Sequence, residues 1–228
     1  MTDTYALILS FVLVFGVIIA SEILVKVLRL PKEESRKLVH IGVSHWWLLA
    51  MFTFSSWRWA IIPPIIFIIL NLASWWTGMF SSMERKPRDP ASLGTVYFPI
   101  ALLLMVLLTW QDSPVLVGVH PYLGALGIMA MGYGDGFAAL VGTKWGRHKF
   151  SLLGSTKSLE GSLTMFVAAL VPLLLLIMPG FALAPLSALA AAAQLALAAT
   201  IVEALTPWGL DNLTVPFAVT LITYAILL

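Results

Sequence analysis

Asp135 stands between two glycines in Gly132-Tyr133-Gly134-Asp135-Gly136, and four cations follow it, Lys144, Arg147, Lys149 and Lys157, interleaved with Gly142, Gly146, Gly154 and Gly161. Glycines beside a carboxylate let a backbone or a large ligand approach it closely. Glycine-rich loops whose N–H groups line up, with Lys and Arg nearby, suit phosphate oxygens. Lys157, Ser158, Glu160 and Gly161 then open the next apolar run, and a helix N-terminus attracts anions. The cations by themselves equally suit a loop resting on anionic headgroups. Asp135 and Glu160, bracketing them, add acid–base and metal-binding capacity that such a loop does not need.

A second oxygen-rich group, Glu203 followed by Asp211-Asn212, flanks a tight turn containing Pro207 and Gly209. Together with Asp135 and Glu160 it suits Mg2+ on a nucleotide, an ion that prefers one or two carboxylates plus phosphates and water. Helix capping explains Asp211 before an apolar run but leaves the Glu203 carboxylate unexplained. In Arg36-Lys37-Leu38-Val39-His40, positions three and four apart put Arg36, Lys37 and His40 on one helix face. Gly154-Ser155-Thr156-Lys157-Ser158 invites comparison with a Walker A loop, but Thr156 and Ser151 stand where that motif requires glycine. Zero Cys excludes thiolate nucleophiles, iron–sulfur clusters and Cys-ligated zinc, and the four His form no HxxxH or HExxH, which argues against a zinc site.

The elements that carry these residues are set by composition. The chain has 228 residues, 60% hydrophobic and 11% charged, with mean hydropathy +0.97. A soluble domain carries roughly 25% charged residues, so no core of this length hides so much apolar side chain from water. Membrane-spanning helices need about 20 apolar residues each, and eight of them use about 160 positions. A soluble enzyme, a disordered chain, a secreted disulfide scaffold and a nucleic-acid binder are thereby excluded. The formal net charge of +2 implies no polyanion partner. The expected fold is all-α, a polytopic helical bundle of seven or eight transmembrane helices in a single domain over residues 1–228, with the catalytic loop at about 143–158.

Eight apolar runs occur between polar or Pro/Gly breaks, at about 5–28, 38–55, 57–78, 95–110, 121–142, 159–178, 185–204 and 211–227. The fourth and eighth are short for a full crossing. Pro63-Pro64 interrupts the third, which is tolerated where neighbouring helices satisfy the freed carbonyls. The opening residues lack a basic n-region, so the first run reads as a retained helix, not a signal peptide. Lys26, Arg29, Lys32, Arg36 and Lys37 fall at the first loop, Arg85, Lys86 and Arg88 at the third, and Lys144, Arg147, Lys149 and Lys157 at the fifth; only Arg58 falls at an even one. The positive-inside rule then places the odd loops in the cytoplasm and, for eight crossings, both termini outside.

Polar residues inside the runs form one layer. At ~1.5 Å per residue, Asp135 lies roughly 10 Å inside the cytoplasmic end of its helix, with Glu22 at similar depth, Asn71 slightly deeper, and His40, Glu203, Asp211 and Asn212 nearer the surface. Ionisable groups at such positions face cavities or partners. A transporter needs polar positions across the whole bilayer, whereas an enzyme joining a soluble cosubstrate to a lipid needs them on one side. The one-sided layer favours the enzyme.

The segments RKLVHIG, LGTVYFP, GYGDGFAALVGTKWG, STKSLEGS and VEALTPWGLDNLTVP, in this order, resemble the CTP-dependent polyprenol kinase family. Its members include phytol, farnesol and dolichol kinases and the CTP-dependent diacylglycerol kinase, and the phytol/farnesol branch is nearest. The likeness spans about Arg36 to Pro216. It implies transfer of the γ-phosphoryl group of CTP to a lipid alcohol with Mg2+, in a membrane of bacterial inner or plasma type. Carried over by position, it singles out Arg36, Lys37, His40, Gly134, Asp135, Gly142, Lys157, Ser158, Gly161, Glu203, Asp211 and Asn212. In the expected site, Lys144, Arg147, Lys149, Lys157, Ser158, Gly161, Arg36, Lys37 and His40 meet phosphates. Asp135, Glu203, Asp211 and Asn212 hold the metal, and Asp135, Lys157 and Glu160 serve catalysis; Asp135 as base and Asp135 as ligand both stay open. The alternatives are phosphatidate cytidylyl transfer, which attaches CMP to a lipid phosphate, and a small transporter or flippase.

Overall fold

A computed structural model describes residues 2–29, 31–77, 93–115 and 119–227. The basic residues Arg85, Lys86 and Arg88 lie outside the described residues. Each apolar run of the sequence is a helix or a pair of helices, and the chain divides into two compact units, Met1–Pro121 and Tyr122–Leu228.

The first unit holds α1 (Asp3–Leu28), α2 (Lys32–Ser44), α3 (Trp46–Thr53), α4 (Trp57–Ala60), α5 (Ile62–Thr77) and α6 (Gly94–Thr109). Ala6, Ser10 and Val14 bury one face of α1 at four-residue spacing, while Tyr5, Ile8, Val12, Phe15, Ile19 and Ile23 stay exposed. This is the pattern of a helix that packs through small residues and shows large ones to lipid. The run at 38–55 is broken at His45, whose Nδ1 lies 3.0 Å from the Ile41 carbonyl. The run at 57–78 breaks at Ile61. Pro63 and Pro64 occupy the first turn of α5, where a missing N–H leaves no intrahelical bond unmade. Asp3 accepts two hydrogen bonds from Ser55 at 2.8 Å, and Asp112 takes Ser56 Oγ at 2.6 Å and Trp57 N at 3.0 Å. The core packs Trp47 edge-on to Trp46 and Trp110, with its indole N–H donating to the Pro121 carbonyl at 2.9 Å.

The second unit holds α7 (Pro121–Trp145), α8 (Leu159–Phe181), α9 (Pro185–Leu205) and α10 (Asp211–Leu227). At ~1.5 Å per residue, the 25 residues of α7 extend about 37 Å, and α7 is the most enclosed of the apolar helices. Gly127 meets Pro216 and Thr220 of α10, and Gly134 meets Met165 of α8. A methyl group on Gly161 would lie 3.2 Å from the Ala138 carbonyl oxygen and 3.4 Å from Gly142 Cα, so glycine on both helices sets the α7–α8 crossing. Along α8, Leu159, Leu163, Val167, Val171 and Leu175 are exposed every fourth residue, opposite buried Gly161, Met165, Ala169, Leu173 and Ile177.

Residues 149–158, expected as loop, form an antiparallel hairpin, β1 (Lys149–Leu152) and β2 (Ser155–Ser158), pairing Phe150 with Lys157. Its two turn residues, Leu153 and Gly154, have φ of 46° and 85°, the left-handed geometry that matches strand twist in two-residue hairpins. Among the described residues, α1, α7, α8, α9 and the nearly continuous α4–α5 stretch (Trp57–Thr77) are the five spans long and apolar enough to cross a membrane, and α6 and α10 are shorter apolar helices. The architecture is an all-α polytopic bundle with this one hairpin added.

Candidate active site

The hairpin decides where Lys157 goes. Side chains alternate across a strand, and in β2 the exposed Thr156 is flanked by half-buried Ser155 and Lys157. Ser158 ends the strand and caps α8, its Oγ accepting the Gly161 N–H at 3.1 Å. That cap fixes the direction in which β2 enters the helix, and hence where Lys157 points.

Lys157 lies beside a group of three carboxylates from three helices and contacts two of them. Asp135 comes from the interior of α7, Glu203 from the last turn of α9 and Asp211 from the first turn of α10. All three residues are buried, at 4%, 4% and 7% exposure, and one oxygen of each lies within 4.8 Å of the others. The Lys157 ammonium donates to Glu203 Oε1 and lies 3.5 Å from Asp211 Oδ2. Burial works against its charge, but Glu203 and Asp211, joined by Asp135, outweigh that and hold its pKa above the ordinary lysine value. Asn212 completes the group: its Nδ2 donates to the Gly209 carbonyl at 2.9 Å and to Asp211 Oδ1 at 3.1 Å. Trp208 and Gly209, with φ of 57° and 77°, make the sharp turn that brings Asp211 back beside Glu203.

Three carboxylates gather in a buried place beside one ammonium, and clustered carboxylates are costly to bury unless cations or hydrogen bonds compensate them. Asn212 Oδ1 is buried and, among the described residues, has no hydrogen-bond partner. An oxygen-only donor set with a spare amide oxygen suits a hard divalent ion such as Mg2+ and does not suit zinc. The residues present fit the metal.

The other expected site residues are placed as follows. Glu160 does not join the cluster; its carboxylate takes His148 Nδ1 at 2.7 Å and the His148 N–H at 3.2 Å, closing the base of the hairpin. Lys144, Arg147 and Lys149 are exposed at the end of α7 and on β1, with the Lys144 ammonium 5.0 Å from the Trp145 ring centre. Ser158 and Gly161 serve the cap and the helix crossing. Arg36, Lys37 and His40 lie on α2 in the first unit, half-buried, the His40 ring 4.5 Å from that of Phe98. His148 carries no signal in the sequence, because a spacing of twelve to Glu160 has no helical or strand period. The hairpin left only a partial sequence signal, the glycine of Leu153-Gly154 between FSL and STKS, without the Asn or Asp that usually precedes it.

Fold and cluster define a polytopic membrane protein with a buried acidic site at one end of its second unit. No family model matches the chain, and no solved structure matches it significantly. Curated relatives do. The chain is 33% identical to a phytol kinase from Synechocystis sp. over 215 residues, 92% of this chain and 86% of the relative. It is 29% identical to the chloroplastic phytol kinase 1 of Arabidopsis thaliana over 237 residues, 96% of this chain and 72% of that protein. The chain belongs to the lipid-alcohol kinase family, near its phytol kinase branch.

Proposed function

We propose that the protein transfers the γ-phosphoryl group of CTP to the hydroxyl of an isoprenoid alcohol of the phytol or farnesol type, with Mg2+, at the cytoplasmic face of its membrane. The observation that carries this reading is the meeting of Asp135, Glu203 and Asp211 around Lys157 at one end of a membrane bundle. Phosphoryl transfer passes through a loose transition state in which positioning and charge neutralisation dominate, and both are what this cluster offers. The choice of CTP rests on the family resemblance.

In this reading the alcohol oxygen attacks the γ-phosphorus and the bond from that phosphorus to the β,γ-bridging oxygen breaks. CDP leaves, and the alcohol proton passes to a carboxylate of the cluster, Asp135. Glu203, Asp211 and the Asn212 amide oxygen would hold Mg2+, which when bound neutralises phosphate charge. Lys157 receives phosphate oxygens, and the exposed Lys144, Arg147 and Lys149 draw the nucleotide toward the hairpin. The alcohol reaches the site from the surrounding bilayer, its tail remaining among apolar side chains.

The test is purified protein with γ-labelled CTP and a panel of phytol, farnesol, undecaprenol, dolichol and diacylglycerol. Label is expected in a lipid monophosphate, with CDP released. Pyrophosphate with a CDP-lipid would instead identify cytidylyl transfer. Asp135→Asn should lower turnover at least about a hundredfold, in the range seen when a positioned proton acceptor is lost, while the melting temperature stays close to wild type. Substantial turnover by the folded variant would refute the assignment of Asp135.

A further inference from the structure

We infer that Lys157 is the built-in counter-ion of the carboxylate cluster, so that a divalent ion enters well only when phosphate oxygens draw the ammonium away. The inference rests on the metal reading above and deepens it: the nucleotide's phosphates, besides being substrate, license the metal site.

The geometry supplies the argument. The ammonium is bound to Glu203 and lies against Asp211, two of the three carboxylates, and the charge of Asp135 acts on it as well. A divalent ion drawn to these oxygens, which lie within 4.8 Å of one another, meets a unit positive charge already at the same short range, where like charges repel strongly in a buried setting. The two cations therefore compete for the carboxylates. Lys157 has somewhere to go: its side chain is 20% exposed, against 5% for Glu203 and 10% for Asp211, and a four-carbon stem on an edge strand swings without moving the helices. The anionic residues cannot follow, because each is built into a helix.

Competition of this kind makes binding reciprocal. If phosphate favours the departure of Lys157, and the departure favours the metal, then phosphate and metal must each raise the affinity for the other by the same factor.

The experiment uses full-length protein in nanodiscs and measures Mn2+ binding by electron paramagnetic resonance, with Mn2+ alone and with tripolyphosphate. Lys157→Met should bind Mn2+ alone at least about tenfold more tightly than wild type, and the coupling between Mn2+ and tripolyphosphate should shrink with it. Glu203→Gln should weaken Mn2+ in every condition. Equal affinity of wild type and Lys157→Met for Mn2+ alone, with Glu203→Gln still losing the ion, overturns the counter-ion role and leaves the metal reading intact. No Mn2+ binding by wild type or Lys157→Met, even with tripolyphosphate or CTP, sinks the metal reading itself. A measurement on wild type needs no variant. Acetylation of Lys157 by an amine-reactive ester, read by mass spectrometry against Lys149, should speed up when saturating Mn2+ is added. An unchanged or lower rate overturns the inference.

Discussion

A carboxylate deep in a protein persists in its charged form only where charge or hydrogen bonds replace water. Lys157 supplies that charge to Glu203 and Asp211, and Asp211 also accepts from Asn212, which makes Lys157 the residue on which the site turns. Its pKa lies above the ordinary lysine value of 10.5. The stabilisation from its ionised form is therefore fully present below about pH 10.5 and is lost as pH rises through the higher folded value. Melting curves of wild type and Lys157→Met should differ by a constant amount from about pH 8 to pH 10 and draw together only as the pH rises past the ordinary lysine value; convergence at neutral pH would show that the ammonium is not held by the carboxylates. Asn212→Leu removes both the spare amide oxygen and the donor to Asp211. Loss of one ligand-like oxygen should raise the Mn2+ dissociation constant about tenfold, within the span measured for groups that support metal ligands, and a metal titration of the variant checks it.

Between residue and site stand three elements: the hairpin, the cap that joins it to α8, and the glycine contact of α7 with α8. Gly161→Ala would push a methyl group against the Ala138 carbonyl and Gly142, backbone that cannot turn aside, at a cost of about 1–3 kcal/mol. Gly16→Ala is the internal control. Nothing lies within 4 Å of the added methyl, so better helix propensity should stabilise by about 0.5–1 kcal/mol. Chemical denaturation of the two variants should move in opposite directions. Glu160→Gln loosens the hairpin base but leaves the cluster intact. Turnover should fall less than about tenfold, since exposed pairs contribute little, while the affinity for Mn2+ alone stays unchanged. Helix positions are legible in the sequence because apolar runs and Pro/Gly breaks are local properties of the chain; α7 exceeds its run only by Thr143, Lys144 and Trp145, which are polar or interfacial. The hairpin was less legible, because four-residue strands rest on one turn, and Leu153 at positive φ is a residue that turn statistics do not favour.

Across the whole molecule, the basic residues and the exposed apolar stripes describe a protein oriented in a bilayer. The distribution of Lys and Arg predicts that the hairpin faces the cytoplasm. Because the chain contains no cysteine, a single Leu153→Cys substitution, at a residue 66% exposed, reports this without background. An impermeant maleimide should label it in inside-out vesicles and not in right-side-out ones.

Composition alone settled that the chain lives in a membrane, because no soluble core can hide 60% hydrophobic residues. Local periodicity settled where the helices run, and residue chemistry nominated Asp135, Lys157, Glu203, Asp211 and Asn212. Only tertiary packing decided which of the nominated groups meet. Lys157 reaches Glu203 across 46 residues and Asp211 across 54, while Glu160, three residues from Lys157, turns to His148 instead. The reason is geometric: Glu160 is held by His148 at the base of the hairpin while Lys157 reaches two other helices, and no spacing along the chain encodes how helices far apart in sequence come to rest together.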